Sequence, residues 1–316
     1  MIDTILVPLD GSSLAEQALP YACRVARQTG AELVLARAAP HAAESAISRS
    51  DLHAAVLGRR VTLRDAERYL EARGSELQGQ GLRVVTEALH TDAVGGLMFT
   101  ARARGADLIV MTTHGRTGAR RAIAGSVAEH LLHRTTLPVL LVRGVEGPHS
   151  TEDAHPFRRI LVPLDGTPFA EQALDYVAGE TSLLGQATVI LLRATSTDAT
   201  APPEENPRQY LEAVGRRALM STELDFAVVP GAAGAAILET AGRYSVDLIV
   251  MATHGRIGLD RLVHGSTAYH VVHGAAVPVL LLHGSPVIDA AEAVPTPGRS
   301  VLAGMSSSSM GGVPAN

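Results

Sequence analysis

The heptapeptide ILVPLDG occurs twice in this chain, at Ile5–Gly11 and again 155 positions later at Ile160–Gly166. Ala15-Glu16-Gln17-Ala18-Leu19 returns at the same offset as Ala170-Glu171-Gln172-Ala173-Leu174. Further along the offset is 140. DLIVM stands at Asp107–Met111 and Asp247–Met251, THGR at Thr113–Arg116 and Thr253–Arg256, and Gly-Ser at Gly125-Ser126 and Gly265-Ser266. LPVLL at Leu137–Leu141 is matched by VPVLL at Val277–Leu281. Identity this ordered, in blocks this far apart, means duplication. The drop in offset means that the second copy lacks 15 residues of its middle third, opposite residues 41–75 of the first.

Each copy alternates strand and helix patterns. In the first, Thr4–Pro8 is an apolar run that ends at a turn, Asp10-Gly11. Leu14, Ala18, Ala22, Val25 and Ala26 then recur at helical spacing and predict one amphipathic helix, closed by Gly30. Strands are expected at Glu32–Ala38, Leu82–Ala88, Asp107–Thr112 and Pro138–Val142. Helices are expected within residues 50–80, at Val94–Arg104 and around Gly125–His133. Near-continuous apolar strands alternating with helices give a parallel sheet covered on both faces. The expected class is α/β, with two five-stranded parallel sheets flanked by helices. The expected division is a first domain at 1–144, a second at 157–284, and a low-complexity, disordered tail at 285–316.

Composition narrows the function. A net charge of −5 without a basic block argues against nucleic-acid binding. No apolar run reaches the roughly 20 residues of a membrane span, and no leader pattern opens the chain, so the expected location is cytoplasmic. The single Cys23 permits no internal disulfide and reads as a small core residue.

Two loops per copy fall at the carboxyl ends of strands, where doubly wound sheets bind ligands. The first carries Asp10-Gly11-Ser12 and Asp165-Gly166-Thr167. The second follows the fourth strand, from Met111 to Val127 and from Met251 to Thr267. Glycines let the backbone approach an anion. Gly125-Ser126 and Gly265-Ser266 stand near a helix start, where free N–H groups favour phosphate. Arg116 and Arg256 are candidate phosphate partners. Asp10 and Asp165 are candidates for a ribose hydroxyl or Mg2+, or for capping the following helix. His114 and His254 have no acid partner in sequence and read as turn histidines. His130, His133, His270 and His273 have helical spacing but no third zinc ligand.

The combination resembles the universal stress protein family in its tandem two-domain form. VPLDGS and VPLDGT, DLIVM-x-THGR, GSVAEHLL and GSTAYHVV, and the closing LPVLLV and VPVLLL carry the resemblance. It implies Rossmann-like domains of the adenine nucleotide alpha hydrolase-like kind that pair through their last strands, ATP binding in many members, and a role in stress tolerance. The family's ATP motif, G-x2-G-x9-G-[ST], is met at Gly115, Gly125 and Ser126, and at Gly255, Gly265 and Ser266. Its first glycine is replaced by Thr112 in one copy and Ala252 in the other. Ala252 adds one methyl, whereas Thr112 is β-branched, so the second copy is the better candidate. By the resemblance, Pro8, Leu9, Asp10 and Ala38, and Pro163, Leu164, Asp165 and Ala194, line the adenosine end. Met111 with Val127, and Met251 with Thr267, flank the phosphate loops.

The expected function is a stress protein that binds ATP with Mg2+ and acts as a nucleotide-dependent sensor or switch. The alternatives are a scaffold acting through protein contacts and a slow ATPase. The adenine nucleotide is the expected small-molecule partner. Antiparallel pairing of Val139–Val142 with Val279–Leu282 would make an internal pseudo-dimer, and a further homodimer is compatible with it.

Overall fold

A computed structural model describes residues 1–39, 62–113, 126–144, 157–180, 187–197, 206–220, 222–253 and 267–283. The expected tail at 285–316 and most of the junction lie outside these residues. In the first half the elements are β1 (Thr4–Pro8), α1 (Ser13–Glu16), α2 (Leu19–Thr29), β2 (Glu32–Ala38), α3 (Leu63–Gly79), β3 (Val84–Leu89), α4 (Ala93–Ala103), β4 (Leu108–Thr112), α5 (Ser126–Arg134) and β5 (Val139–Val142). In the second they are β6 (Arg159–Pro163), α6 (Pro168–Gly179), β7 (Thr188–Thr195), α7 (Pro207–Ala218), β8 (Leu224–Pro230), α8 (Ala233–Arg243), β9 (Leu248–Thr253), α9 (Thr267–Gly274) and β10 (Val279–His283).

The strands form one ten-stranded sheet, in the order β3-β2-β1-β4-β5-β10-β9-β6-β7-β8. Pairing within each half is parallel. The halves meet through β5 and β10, which pair antiparallel with Leu140 opposite Leu280. The expected closing-strand pairing is therefore present, and it makes one sheet of the two. Alternation along the strands divides the core into two layers, each crossing the seam. Ile5, Val7, Leu33, Leu35, Val110 and Leu140 share one layer with Val162, Leu191 and Leu280. Leu6, Val34, Ile109 and Leu141 share the other with Leu161, Ile190 and Leu281. Burial on both faces explains why these strands read as unbroken apolar runs.

Small differences from the sequence expectation have local causes. The first helix is not continuous: α1 ends at Glu16 and α2 starts at Leu19. Pro20 supplies no N–H to the Glu16 carbonyl and its ring crowds that turn, which ends the α-helical ladder there. The second copy has Asp175 at that position, and α6 runs unbroken. Gly30 ends α2 as expected, left-handed at φ 76°, its N–H donating to the Ala26 carbonyl at 2.8 Å. Asp107 lies just before β4, not in it, and its Oδ2 accepts from the Asp3 and Thr4 amides at 2.8 and 3.0 Å. Asp247 accepts from the Arg158 amide through Oδ2 at 2.8 Å and from the Arg159 amide through Oδ1 at 3.3 Å. The aspartate of each DLIVM block thus ties down the start of the neighbouring strand. Phe157 and Ile2 fill matching buried positions before β6 and β1. Cys23 is buried, and burial pushes its thiol up to about 11. Among the described residues, no helix is long and apolar enough to cross a membrane.

Candidate functional site

In each half the sheet order reverses beside the first strand: β1 lies between β2 and β4, and β6 between β7 and β9. The carboxyl ends of these strands frame a mouth. At each mouth the chain leaves its strand through Asp-Gly. Asp10 Oδ1 accepts from the Ser12 amide at 2.8 Å and from its hydroxyl at 2.6 Å. Asp165 Oδ1 accepts from the Thr167 amide at 3.0 Å and from its hydroxyl at 2.6 Å. Ser12 and Thr167 in turn cap α1 and α6, accepting from the Ala15 and Ala170 amides at 3.1 and 3.2 Å. The capping alternative for Asp10 and Asp165 is corrected accordingly: the hydroxyls are the caps, and the carboxylates hold the hydroxyls in place. Gly11 and Gly166 lie at φ 83° and 84°, where only glycine is unstrained.

An arginine sits beneath each turn. A Cβ on Gly11 would come within 2.6 Å of the Arg37 guanidinium, and one on Gly166 within 3.3 Å of that of Arg193. Arg37 is buried and stacks its guanidinium 4.6 Å from the Tyr69 ring centre. The Tyr69 hydroxyl donates to Glu16 at 2.8 Å, and that of Tyr210 donates to Glu171 at 3.0 Å. Burial, then the carboxylate contact, pushes both phenols up, so both stay neutral donors. Glu16 and Glu171 belong to the repeated AEQAL blocks, so this support is duplicated with them. Sequence reasoning missed the two arginines. The signal was present: Arg-Ala repeats at 37–38 and 193–194, a charge closing an otherwise apolar strand.

In the second half the mouth opens into a cavity of about 310 Å3. Pro163, Leu164 and Asp165 from the end of β6, Ala194 from β7, Met251 and Ala252 from β9, and Thr267 from α9 line it. These are all the described members of that half's expected set. Phe169 and Ile237 add apolar wall, and Thr253 and His283 add polar groups. Leu132, from α5 of the first half, also lines it. The size lies at the small end of ligand pockets, and apolar walls with a few polar groups are their usual composition. In the first half, Leu9, Met111 and Thr112 are buried, while Pro8, Asp10, Ala38 and Val127 are partly buried. Thr112 is 7% exposed, whereas Ala252 is half-buried and faces the cavity.

Several expected residues cannot be placed this way. Gly115, Arg116, Gly125, Gly255, Arg256, Gly265 and Ser266 lie outside the described residues, as do His114 and His254. Ser126 is the first residue of α5. Of the helix histidines, His273 stacks on Tyr269 with ring centres 4.2 Å apart, and its Nδ1 lies 2.8 Å from the Tyr269 carbonyl. No group of three or more His, Cys, Asp or Glu able to hold a metal occurs among the described residues.

Comparison with known proteins agrees with this architecture. The model of the universal stress protein family matches residues 1–143 and 156–283. A universal stress protein of Methanocaldococcus jannaschii is 28% identical over 142 residues, 44% of this chain and 81% of that one. One from Synechocystis is 23% identical over 296 residues, 87% of this chain and 98% of its own. The crystal structure of a universal stress protein from Archaeoglobus fulgidus superposes with a TM-score of 0.67 at 19% identity, covering 90% of this chain and 97% of that one. The chain belongs to the universal stress protein family, with the family unit present twice in tandem.

Proposed function

We propose that this chain is a stress-response protein that binds ATP, with Mg2+ accompanying the nucleotide, in the cavity of its second half. One observation carries this reading. Every described residue expected from sequence to touch the nucleotide in that half lines a single cavity at the carboxyl ends of its strands. Leu164, Phe169, Ala194 and Ile237 offer apolar surface to a base. Asp165 offers a carboxylate to a ribose hydroxyl or to the metal. Met251 and Ala252 form the floor beside β9, and the single methyl of Ala252 leaves that side open. Residues 254–266 join β9 to α9 and contain Gly255, Arg256, Gly265 and Ser266, the family's phosphate motif. A polyphosphate would lie there, against the first turn of α9 at Thr267.

The protein works in this reading as a cytoplasmic sensor or switch whose state follows nucleotide occupancy. The first half takes the scaffold role instead: its buried Thr112 stands where Ala252 opens the second. Calorimetry with ATP and Mg2+ tests the proposal. One nucleotide per chain is the expected stoichiometry, with binding abolished when the cavity is filled by Ala252→Trp. Absence of binding at millimolar ATP would overturn it.

A further inference from the structure

The cavity of the second half is not walled by the second half alone. Its far side, beyond β9, is β10, whose terminal residue His283 lies in register with Thr253. His283 Nδ1 stands 3.1 Å from the carbonyl oxygen of Leu137, just before β5 of the first half. A carbonyl oxygen only accepts, so Nδ1 carries the hydrogen. On the neutral ring Nε2 is then the nitrogen without a hydrogen, on the charged ring it carries a second N–H, and the Leu132 carbonyl is also in hydrogen-bonding contact with the ring.

Position gives that second nitrogen a task. Across the mouth the strands run β7, β6, β9, β10. Ala194 lines the β7 end of the cavity and His283 the β10 end, three strand spacings away, on the order of 14 Å. The base-binding surface belongs to β6 and β7, and the glycine-bearing connection to α9 departs from β9. A polyphosphate running from the base-binding surface toward that connection would end on the His283 side of the cavity. The matching residue of the first half is Arg143, which is exposed.

We infer that His283 reads the terminal phosphate of the ligand: held by Leu137 through Nδ1–H, it takes up a proton at Nε2 and keeps it there, the new N–H donating a hydrogen bond to a phosphate oxygen. This rests on the nucleotide reading of the cavity. Binding then carries a proton into the site and is tied to the seam between the halves. Burial holds the free ring neutral, against the weaker pull of the Leu137 and Leu132 carbonyls. An arriving anion reverses that balance. Among the described residues, the other ionisable groups on the surrounding elements are Asp165 in the cavity wall, Arg143 after β5, Arg159 on β6, Arg193 on β7, Glu129, His130, His133 and Arg134 on α5, Glu171, Asp175 and Tyr176 on α6, Glu239 and Arg243 on α8, and Tyr269, His270 and His273 on α9.

The test is calorimetry of the full chain with ATP and with adenosine between pH 6 and 8.5, in buffers of differing ionisation enthalpy. ATP binding takes up close to one proton per ligand near pH 7.5 and weakens toward tenfold per pH unit above it, while adenosine binding takes up none. In His283→Gln the uptake disappears and the ratio of ATP to adenosine affinity at pH 6 falls about tenfold, the loss of one charge-assisted hydrogen bond. ATP binding without proton uptake in the unmodified protein, or with the same uptake in the variant, overturns the inference and leaves the nucleotide reading standing. Failure of both ligands to bind overturns the two together. Nitrogen NMR of labelled histidine in the unmodified protein provides a readout that does not need a folded variant: Nε2 must become protonated when ATP is added at pH 7.5.

Discussion

The Asp-Gly turns at the two mouths of the sheet make the same hydrogen bonds to within a few tenths of an ångström, yet the mouths have diverged in what closes them. The carboxylate-to-hydroxyl contact is 2.6 Å in both, and the turn glycines differ by one degree in φ. Around this constant frame the described residues pack more tightly in the first half than in the second. Arg37 is buried against Tyr69 under Gly11, whereas Arg193 is half-buried and leaves more room under Gly166. Thr112 is buried where Ala252 faces a cavity. Pro20 breaks the first helix where Asp175 continues the second. Duplication preserved the parts that the backbone geometry requires and released those that only fill space. In the proposed reading the second half binds the nucleotide, and the first contributes Leu132 to the cavity wall.

The largest effect comes from imposing the first half's helix break on the second. Asp175 is exposed in the middle of α6, and Asp175→Pro would remove one ladder bond and crowd the preceding turn. The expected cost is about 3 kcal/mol in urea unfolding. Pro20→Ala in the first half should move stability by less than about 1 kcal/mol, since the chain there is already settled around the break. Equal effects would mean that the break is a cosmetic difference. Gly11→Ala and Gly166→Ala then probe the space beneath the turns. Both pay for a left-handed residue, roughly 1 kcal/mol. Gly11→Ala must also displace a guanidinium stacked on an aromatic ring, so its total should reach about 2 kcal/mol. A larger cost at Gly166 would contradict the tighter packing of the first half.

Exchanging the strand-end residues sharpens the functional side of the comparison. Ala252→Thr should weaken ATP binding about tenfold, a cost of about 1.4 kcal/mol for inserting a branched side chain into the cavity. Thr112→Ala should leave that binding unchanged, because the residue belongs to the other mouth. Calorimetric titration of both variants separates the readings. Unchanged binding in Ala252→Thr would remove the physical basis for assigning the ligand to the second half.

The strands were legible because each is buried on both faces, so that periodicity and burial coincide over whole runs such as Ile5–Val7 and Leu248–Val250. The seam was legible for the same reason: an apolar closing strand needs a neighbour on its free side. The break at Pro20 was in the sequence but hidden by a helical pattern strong enough to run through it. The excess of the first copy falls between Ala38 and Tyr69, 31 positions apart, against 16 between Ala194 and Tyr210. Most of it therefore lies outside the described residues. Arg37 and Arg193 escaped notice because a charge at a strand end reads as an exit to solvent, whereas here it folds back under the turn. Leu132 could not be assigned to the second mouth from sequence, because its place there depends on the antiparallel pairing of β5 with β10, which composition and spacing do not encode. His283 reaches that mouth as the last residue of β10, in register with Thr253 of β9.

The smallest effect should be the same in both halves, and that equality is its content. Ser12 and Thr167 cap their helices from nearly identical backbone conformations, φ −89° with ψ 150° and φ −91° with ψ 146°. Each hydroxyl donates to its aspartate and accepts from an amide three residues on. Ser12→Ala and Thr167→Ala should each cost about 1 kcal/mol. Asp10→Ala and Asp165→Ala should cost a similar amount by releasing the hydroxyl, but only Asp165→Ala should also weaken the nucleotide. Urea unfolding beside ATP titration for all four variants separates the frame from the ligand site. If Asp10→Ala affected ATP binding as strongly as Asp165→Ala, the first mouth would be occupied too, and the division of labour between the halves would be wrong.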